Sequence, residues 1–282
     1  MRALQNKKVS VVVPNYNYGK YIGGRIDSIV RQTYPIYELI VLDDCSTDNS
    51  VDVIEKKLDE IREKHPEIEI SFVKNKVNSG RAISQWKKGF ELAKGDYVWI
   101  AEADDSCSKR FLEEAMKGFD DPEVVLSYTE SAIINSWGLM IAPNFRWSRD
   151  KEKTGHYKNS YIKDGKKETA EILAIRCTIP NVSAVVFKNE KKYLKYLDEA
   201  LKFVQVGDWY FYVKVLEDGK ISYNRKSLNR FRVHRGSATN RGDEHYREVV
   251  GMHEYIERNC KLSEMVLRAM KNERGRIKGR LS

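Results

Sequence analysis

The chain has 282 residues, of which 41% are hydrophobic and 32% charged, and this composition fits a folded domain with a sizeable core rather than a disordered or fibrous protein. Fifty lysines and arginines against 41 acidic residues give a formal net charge of +9, which favours anionic partners such as a nucleotide, a nucleic acid or a membrane surface. The N-terminal residues lack an apolar signal region, no stretch is long enough to span a bilayer, and the four cysteines form no paired motif, so we expect a cytoplasmic protein with reduced thiols.

The first hundred residues alternate between short apolar runs and amphipathic segments. Residues 9–13 predict a strand, and apolar residues recur at helical spacing within 20–32. Further strands are predicted at 38–42, 68–73 and 97–101, with helical segments between them. This alternation predicts an α/β fold with a mainly parallel, doubly wound sheet, and such sheets bind ligands at the carboxyl ends of their strands.

After the fourth strand the alternation becomes less regular. The remaining predicted elements are a helix at 108–118, a strand at 124–128, an antiparallel piece at 131–141, a helix at 168–176, a strand at 182–187, helices at 191–203 and 208–216, strands at 220–223 and 228–233, and a closing helix from about residue 244. Residues 143–167 are rich in charged and aromatic side chains, which predicts a mobile loop over the edge of the sheet. We therefore expect the second half of the chain to complete and cover the sheet of the first half.

Three carboxylates follow the fourth predicted strand: Glu102, Asp104 and Asp105. Carboxylates this close raise one another's pKa unless a cation or hydrogen-bond donors lie among them. Oxygen ligands at this spacing suit Mg²⁺ or Mn²⁺ better than zinc, although an acidic turn that caps the next helix is the simpler interpretation of the cluster alone. Polar clusters at 14–18 and 43–48 also follow predicted strands, so the fold would bring all three clusters to one edge.

Seven segments in order resemble the motifs of family 2 glycosyltransferases, which have the GT-A fold. These segments are residues 11–17, 32–34, 43–48, 78–80, 95–105, 207–209 and 232–237. Because they are spread over most of the chain, the resemblance covers most of it and implies an inverting glycosyltransferase. The segment 95–105 is similar to transferases that extend surface glycans, which implies the bacterial surface-glycan type. It implies a GT-A domain over 1–243, with a nucleotide-sugar-binding half at 1–128 and an acceptor-side half at 129–243, followed by a basic helical tail at 244–282.

The resemblance also implies roles for donor-binding residues. Pro14 and Tyr16 lie where the first loop of the family lines the nucleoside pocket, and an aromatic ring can stack on a pyrimidine. Asp44 matches the residue that accepts the imide N–H of uracil or thymine, which favours a UDP- or dTDP-sugar over a CDP-sugar. Capping of the following helix is a second role open to the loop around Asp44. Arg81 matches a contact to nucleotide or diphosphate, with a surface arginine at a helix start as a close alternative.

At the Asp-any-Asp position of the family this chain has Glu102 and Asp104. The resemblance implies that Asp104, and then Asp105, bind a Mn²⁺ or Mg²⁺ cofactor that bridges the diphosphate and neutralises charge on the leaving group. Glu102 replaces the usual first aspartate, whose common role is contact with the ribose. His234 lies where many relatives have a further metal or phosphate ligand, while an isolated histidine after a strand is otherwise a surface residue. The residues around it that favour an anion-facing loop are Arg232, Arg235 and Ser237.

Asp208 is the candidate catalytic base. In the single-displacement mechanism of the family, one carboxylate takes the proton from the acceptor hydroxyl as it attacks the anomeric carbon. Most relatives have Glu-Asp here, and this chain has Gly207 before Asp208, so only the aspartate is carried over. An N-cap of the apolar helix that follows is a strong alternative from the sequence alone. Trp209 is either a face for the acceptor sugar or part of the core.

The C-terminal region combines basic and apolar residues. Its basic residues are Lys261, Arg268, Lys271, Arg274, Arg276, Lys278 and Arg280, and its apolar residues are Leu262, Met265, Val266, Leu267 and Met270. This combination predicts peripheral contact with an anionic membrane, where lipid-linked acceptors reside, although a solvated helix end is the simpler interpretation.

Other classes of protein receive less support. Zinc-finger spacing and an aromatic RNA-binding strand are absent, so nucleic acid is not expected as a partner. A nucleotidyltransferase would need a glycine-rich phosphate loop near the first strand. Residues 14–18, which follow that strand, contain no glycine, so this class is less favoured. A non-catalytic protein that binds a nucleotide sugar remains an alternative, and the role of Asp208 distinguishes it from an enzyme.

Overall fold

The computed structural model describes residues 7–150, 155–234 and 243–279, and it has the α/β fold that the sequence predicts. The described strands are β1 (Val9–Asn15), β2 (Glu38–Asp43), β3 (Glu69–Lys74), β4 (Tyr97–Ile100), β5 (Ser106–Cys107), β6 (Val124–Ile134), β7 (Met140–Ala142), β8 (Tyr161–Asp164), β9 (Val185–Lys188) and β10 (Lys220–Arg232). The described α-helices are α1 (Gly19–Val30), α2 (Ser50–Lys64), α3 (Ala82–Leu92), α4 (Phe111–Met116), α5 (Arg146–Arg149), α6 (Gly165–Glu168), α7 (Tyr193–Ala200), α8 (Gly207–Leu216), α9 (Asp243–Asn259) and α10 (Glu264–Lys278).

The strands form one sheet in the order β3-β2-β1-β4-β9-β6-β10-β5, with β7 beside β6 and β8 beside β10. The four strands of the first half pair in parallel, as predicted. Strand β9 runs antiparallel between β4 and β6, while β6 and β10 run parallel to each other, so the complete sheet is mixed. The strand order switches between β1 and β4, and the carboxyl ends of β1, β2 and β4 therefore lie side by side at one edge, where α/β sheets bind ligands.

Helices cover both faces of the sheet. Successive side chains of a strand point to opposite faces, so both faces offer apolar side chains for the helices to pack on. On one face α1, α2 and α4 pack through residues such as Ile26, Leu58 and Phe111. On the other face α3, α7, α8, α9 and α10 pack through residues such as Phe90 and Phe211. The doubly wound arrangement predicted from the alternating pattern is thus confirmed.

Two strands of the second half are longer than predicted. The pieces expected at 124–128 and 131–141 form the 11-residue β6 and the short β7. The strands expected at 220–223 and 228–233 join into the 13-residue β10, whose register against β6 shifts around Ser227. Polar residues interrupt the apolar pattern of both strands. The sequence pattern therefore predicts that each strand ends at these residues, whereas in the structure it continues through them.

Three predicted helices have different bounds in the structure. The helix expected at 108–118 is reduced to α4 and a 3-10 turn, Lys117–Asp120. The helix expected at 168–176 begins earlier, as α6, and continues as a π-helical turn, Thr169–Leu173. The closing helix is divided into α9 and α10.

The two C-terminal helices pack on the same core as α8. Val266 and Met270 of α10 are buried in this core and are therefore unavailable to a membrane. Met265 and Leu267 of the same helix are exposed, so membrane contact stays a prediction with fewer apolar side chains to support it. None of the helices in the described ranges is both long enough and apolar enough to cross a bilayer.

A buried ion pair anchors the segment that the sequence predicts to be a mobile loop. Arg149 of α5 contacts Glu130 of β6 through Nη2 and donates from Nη1 to the carbonyl of Thr178, 3.0 Å away. The Tyr223 hydroxyl donates to the same carboxylate at 2.9 Å. Arg149 and Glu130 are 5% and 0% exposed. The described parts of 143–167 contain α5 and β8, so the prediction of an irregular loop is wrong there.

Replacing Arg149 by methionine should destabilise the protein, because the carboxylate of Glu130 would stay buried without its cation. Removal of one partner from such a pair costs about 3–5 kcal/mol. Urea denaturation should therefore show a lower midpoint at an unchanged m value. The double variant Glu130→Gln, Arg149→Met removes both charges and should recover much of the loss. A single variant as stable as the unmodified protein would contradict this role.

Candidate active site

The loops after β1 and β2 are joined to each other at the edge of the sheet. Asn17 has a left-handed backbone conformation, with φ of 57°, which asparagine tolerates better than most residues. Its Oδ1 accepts the N–H groups of Thr47 at 2.7 Å and Asp48 at 3.2 Å. The N–H of Asn17 donates to the Ser46 hydroxyl at 2.9 Å. The two loops therefore form one connected wall.

Three predicted donor contacts line a cavity beside this wall. Pro14 is buried, whereas Tyr16 is 44% exposed, so its ring remains accessible to a planar base. Arg81 also lines the cavity, and its Nη2 donates to the carbonyl of Phe203. Arg81 thus joins the start of α3 to the segment before α8, a contact that the sequence does not predict.

The carboxylate of Asp44 is occupied by protein donors. Asn75 Nδ2 and Gln85 Nε2 donate to Oδ1 at 2.6 and 2.8 Å. The Ser79 hydroxyl donates to Oδ2 at 2.7 Å, and the Ser79 N–H lies 3.0 Å from both oxygens. A uracil imide would have to replace one of these donors. The Ser79 hydroxyl is the simplest one to replace, because it can turn away by rotation about a single bond.

Glu102 is held after β4 by two groups that sequence analysis did not identify. Its Oε1 accepts the indole N–H of Trp86 at 2.7 Å, and its backbone N–H donates to the Ser183 hydroxyl at 3.1 Å. Burial, together with the charge of Asp104, raises the pKa of Glu102 to about 8. Trp86 comes from α3 and Ser183 from the turn before β9, so no local spacing reveals them.

The two aspartates of the acidic loop have different partners. Asp104 Oδ2 lies 3.0 Å from Nε2 of His234. Asp105 is 2% exposed and accepts the backbone N–H of Arg232 at 2.9 Å. Burial and the charge of Asp104 raise the pKa of Asp105 to about 7. Arg232 Nε also donates to the carbonyl of Asp104 at 2.6 Å, and this arginine therefore joins the acidic loop to the end of β10.

Asp104, Asp105 and His234 do not form one three-ligand metal site. Within the part of the chain that the structure describes, no three His, Cys, Asp or Glu side chains are arranged to hold a metal ion. Arg235 and Ser237, which the sequence predicts to face an anion, lie outside the described residues. The carboxylate of Asp104 nevertheless fits an ion such as Mg²⁺, which is usually held by one or two carboxylates together with phosphate oxygens of a substrate, and His234 lies beside it.

A fully buried arginine of α1, Arg25, lies near the acidic loop and was not identified from the sequence. Its guanidinium carbon is 5.0 Å from the ring centroid of Trp99, and its three nitrogens have no hydrogen-bond partner among the described residues. Burial and Asp104 raise the pKa of Asp105, and the charge of Arg25 opposes that rise. A signal was available, since Arg25 lies in the helical stripe of Ile22, Ile26 and Ile29.

Asp208 is the second residue of α8 and faces the cavity. The N-cap interpretation is wrong, because Val206 occupies the N-cap position. Asp208 Oδ1 accepts the backbone N–H of Trp209 at 2.7 Å, and burial raises the pKa of Asp208 to about 6. Gly207, which replaces the usual glutamate, has no room for a side chain, because a Cβ there would lie 2.8 Å from the carbonyl oxygen of Ala200.

Trp209 belongs to the core, which was one of its two interpretations. It is 2% exposed, and its indole N–H donates to the carbonyl of Leu173 at 3.0 Å. Its ring meets that of His253 edge-on, with 5.8 Å between the centroids. Trp209 therefore fixes the start of α8 against the neighbouring elements.

One cavity of about 1120 Å³ brings the predicted groups together. Its lining includes Pro14, Tyr16, Asp44, Arg81, Glu102, Asp104, Asp105 and Asp208. His234 is connected to this cavity through Asp104. The volume is slightly above the roughly 300–1,000 Å³ that is typical of ligand pockets, so the cavity has room for more than a nucleotide.

Comparison with known proteins identifies relatives of this chain. The family model described as Glycosyl transferase family 2 matches residues 10–170, which is more than half of the chain. The putative teichuronic acid biosynthesis glycosyltransferase TuaG of Bacillus subtilis is 34% identical over 123 residues, which cover 43% of this chain and 45% of TuaG. The poly(ribitol-phosphate) β-N-acetylglucosaminyltransferase TarS of Staphylococcus aureus is 32% identical over 116 residues, or 40% of this chain and 19% of TarS. The matched region thus spans less than half of either relative.

A solved structure resembles nearly the whole chain. The crystal structure of S. aureus TarS 1–349 in complex with UDP-GlcNAc has a TM-score of 0.67 and 20% identity, with 94% of this chain and 72% of that chain covered. This likeness confirms the GT-A fold. The match to the family model shows that the chain belongs to glycosyltransferase family 2.

Proposed function

We propose that this chain transfers a sugar from a UDP- or dTDP-sugar to a hydroxyl group of a bacterial surface glycan or other glycoconjugate, with inversion at the anomeric carbon. The observation that carries the proposal is the position of Asp208 in the same cavity as Asp44 and Asp104. The named relatives support a UDP-sugar donor and a surface-glycan acceptor, since TarS has been crystallised with UDP-GlcNAc and TuaG is named for teichuronic acid biosynthesis.

The residues of the first half would bind the donor. Tyr16 would stack on the base beside Pro14, and Asp44 would accept the imide N–H once the Ser79 hydroxyl has turned. Asp104, with His234 behind it, would hold Mn²⁺ or Mg²⁺. When bound, this ion stabilises the negative charge on the leaving diphosphate as a Lewis acid.

Glu102 and Arg81 would complete the donor site. Because Trp86 binds only Oε1 of Glu102, the other carboxylate oxygen would be available to a ribose hydroxyl. Arg81 is bound to Phe203 through Nη2, and its remaining N–H groups would be available to the diphosphate.

Asp208 would act as the general base. Its carboxylate would take the proton from the acceptor hydroxyl while the hydroxyl oxygen attacks the anomeric carbon opposite the diphosphate. A pKa near 6 combines the ionised form at neutral pH with useful basicity. Under this proposal the donor contacts lie mainly in 1–128, the base lies in the acceptor-side half at 129–243, and 244–282 adds the last helices.

Nucleotide release from a panel of UDP- and dTDP-sugars tests the proposed function directly. We expect release with Mn²⁺ from at least one donor, and loss of that release with EDTA. Failure to release nucleotide from any donor, in a protein that folds, would contradict the proposal.

Replacing Asp44 by asparagine should change the preference for the base. The amide keeps the size of the side chain and can donate to the unprotonated N3 of cytosine, so UDP affinity should fall about tenfold while the CDP to UDP binding ratio rises. Isothermal titration with UDP and CDP measures both quantities. Ser79→Ala is the matched control, since it removes the hydroxyl that uracil would displace and should not weaken UDP binding. An unchanged base preference in Asp44→Asn would exclude the imide contact.

The pH dependence of the reaction should report Asp208. A general base must be ionised, so kcat/KM should fall about tenfold for each pH unit below the pKa of about 6. Initial rates between pH 4.5 and about 8, with donor and acceptor below saturation, measure this limb. A rate that is still independent of pH at pH 4.5 would show that no group with a pKa near 6 limits the reaction.

A further inference from the structure

The cavity continues past Asp208 to a group that donor binding and proton transfer do not use. Besides Asp208, its lining includes Cys177, Arg176, and Glu273 and Arg276 of α10. Burial and then the carboxylate of Asp208 raise the pKa of the Cys177 thiol. We call Arg176, Glu273 and Arg276 the acceptor-end cluster.

The two arginines of this cluster share one carboxylate. Arg276 donates to Glu273 from Nε at 2.9 Å and also from Nη2, while Arg176 donates from Nη2 at 3.2 Å. The Glu273 side chain is 6% exposed, and those of Arg176 and Arg276 are 13% and 34% exposed. Two hydrogen bonds to Glu273 therefore fix the guanidinium of Arg276 in the cavity lining. Arg276 is also the more exposed of the two arginines.

Arg276 keeps N–H donors that the protein does not use. A guanidinium has five N–H groups, and Nη1 of Arg276 has no hydrogen-bond partner within the ranges that the structure describes. A planar guanidinium held in place suits the oxygens of a phosphate or carboxylate. The lining also includes the apolar Ile277 and Val249, which suit the carbon chain of a polyol or sugar.

We propose that the acceptor-end cluster binds a phosphate or carboxylate group of the acceptor, and hence that the acceptor is an anionic glycan. This inference rests on the proposed function, because it assigns the acceptor class to the same cavity. Arg276 makes the contact and Glu273 fixes its orientation. The net charge of +9 favours the approach of a polyanion but does not select a position on the surface.

Binding of defined probes tests the inference. The donor site is first saturated with UDP and Mn²⁺, so that anions cannot bind there. Isothermal titration then compares oligo(glycerol phosphate), oligogalacturonate and a neutral maltooligosaccharide of similar length. We expect one or both anionic probes to bind at least about tenfold more tightly than the neutral probe, and the stronger of the two distinguishes phosphate from carboxylate. Equal binding of all three, or no binding of either anionic probe, would overturn the inference.

Variants of α10 locate the binding. Arg276→Gln should weaken the anionic probe about tenfold. Arg274→Gln is the matched control, since Arg274 lies on the same helix, contacts Glu257 at 3.4 Å and is absent from the cavity lining. Equal loss in both variants would mean general electrostatic attraction and would overturn the inference. If Arg276→Gln lowers the melting temperature, Arg276→Lys is the second variant. Lysine keeps the positive charge beside Glu273 but lacks the planar guanidinium, so this variant should still bind the anionic probe more weakly than the unmodified protein.

The inference and the proposed function can fail separately. Hydrolysis of UDP-sugars without an acceptor reports the donor site of the unmodified protein and of Arg274→Gln. Absence of hydrolysis would count against the transfer reaction, while the probe titrations still decide the acceptor class. Hydrolysis together with equal binding of neutral and anionic probes would leave the transferase intact and overturn only the anionic acceptor.

Discussion

Asp208→Asn should lower kcat for sugar transfer by about 10²–10⁴-fold, the usual contribution of a general base. Asparagine has nearly the same size, and its side-chain oxygen can still accept the N–H of Trp209, so the start of α8 should keep its geometry. The donor contacts are separate residues, and UDP affinity should therefore change by less than about twofold. Initial transfer rates and titration with UDP measure the two quantities.

The same substitution should make the protein more stable at neutral pH. Burial raises the pKa of Asp208 from 3.8 to about 6, so the folded state holds this proton more tightly than the unfolded state does. The free energy of unfolding therefore falls as the pH rises from about 4 to about 6, and it remains lowered at pH 7. The neutral amide of the variant has no such penalty, and we expect a gain on the order of 2 kcal/mol at pH 7 that disappears below about pH 4.

The control for Asp208→Asn is an aspartate outside the cavity. Asp198→Asn changes an exposed carboxylate that contacts Lys87 and lies outside the cavity lining, so it should alter neither transfer nor the pH dependence of stability. Full transfer by a folded Asp208→Asn variant would exclude this aspartate as the base. A protein without transfer activity in any form would favour the non-catalytic, nucleotide-sugar-binding alternative.

Asp104→Asn should lower turnover by about 10²–10³-fold, because Lewis-acid stabilisation of the leaving group is worth several kcal/mol. The residual rate should be insensitive to added Mn²⁺ and to EDTA. Initial rates over a Mn²⁺ titration measure the loss, and electron paramagnetic resonance of Mn²⁺ in the presence of UDP measures whether the ion still binds.

Asp105→Asn is the matched comparison for Asp104. The amide oxygen can still accept the backbone N–H of Arg232, so this variant should keep its metal dependence even if the loop is less stable. The reverse result, with metal dependence lost in Asp105→Asn and retained in Asp104→Asn, would show that Asp105 rather than Asp104 binds the metal ion.

The sequence predicted the first half of the fold better than the second half. Strands β1, β2 and β4 are nearly uninterrupted apolar runs between clear helices, and their parallel order follows from that alternation. Strand β6 carries Glu130 in its interior, and only the distant Arg149 makes that charge tolerable. A pairing across 19 positions between a strand and a short helix leaves no periodic signal, so the sequence predicts that the strand ends early.

The candidate site shows the same division. Asp104 and Asp208 were identified because their motifs lie in continuous segments of the chain, and the structure brings both to one cavity. Trp86, Ser183 and Arg25 were not identified, because each reaches the acidic loop from a separate element. The hydrogen bond from the backbone N–H of Arg232 to Asp105 was also not foreseen, because β10 is distant in the sequence, and the metal-binding roles of Asp104, Asp105 and His234 stay a prediction.

The packing of α9 and α10 on the core of α8 has a consequence for how this enzyme can diversify. The proposed donor contacts lie early in the chain, whereas α10 contributes Glu273, Arg276 and Ile277 to the lining of the same cavity. If α10 recognises the acceptor as proposed, recombination or directed evolution confined to the last helices should alter acceptor recognition and leave the proposed donor site unchanged. A library for new acceptors would therefore keep the buried Val266 and Met270, which pack α10 on the core, and vary the residues of α10 that line the cavity.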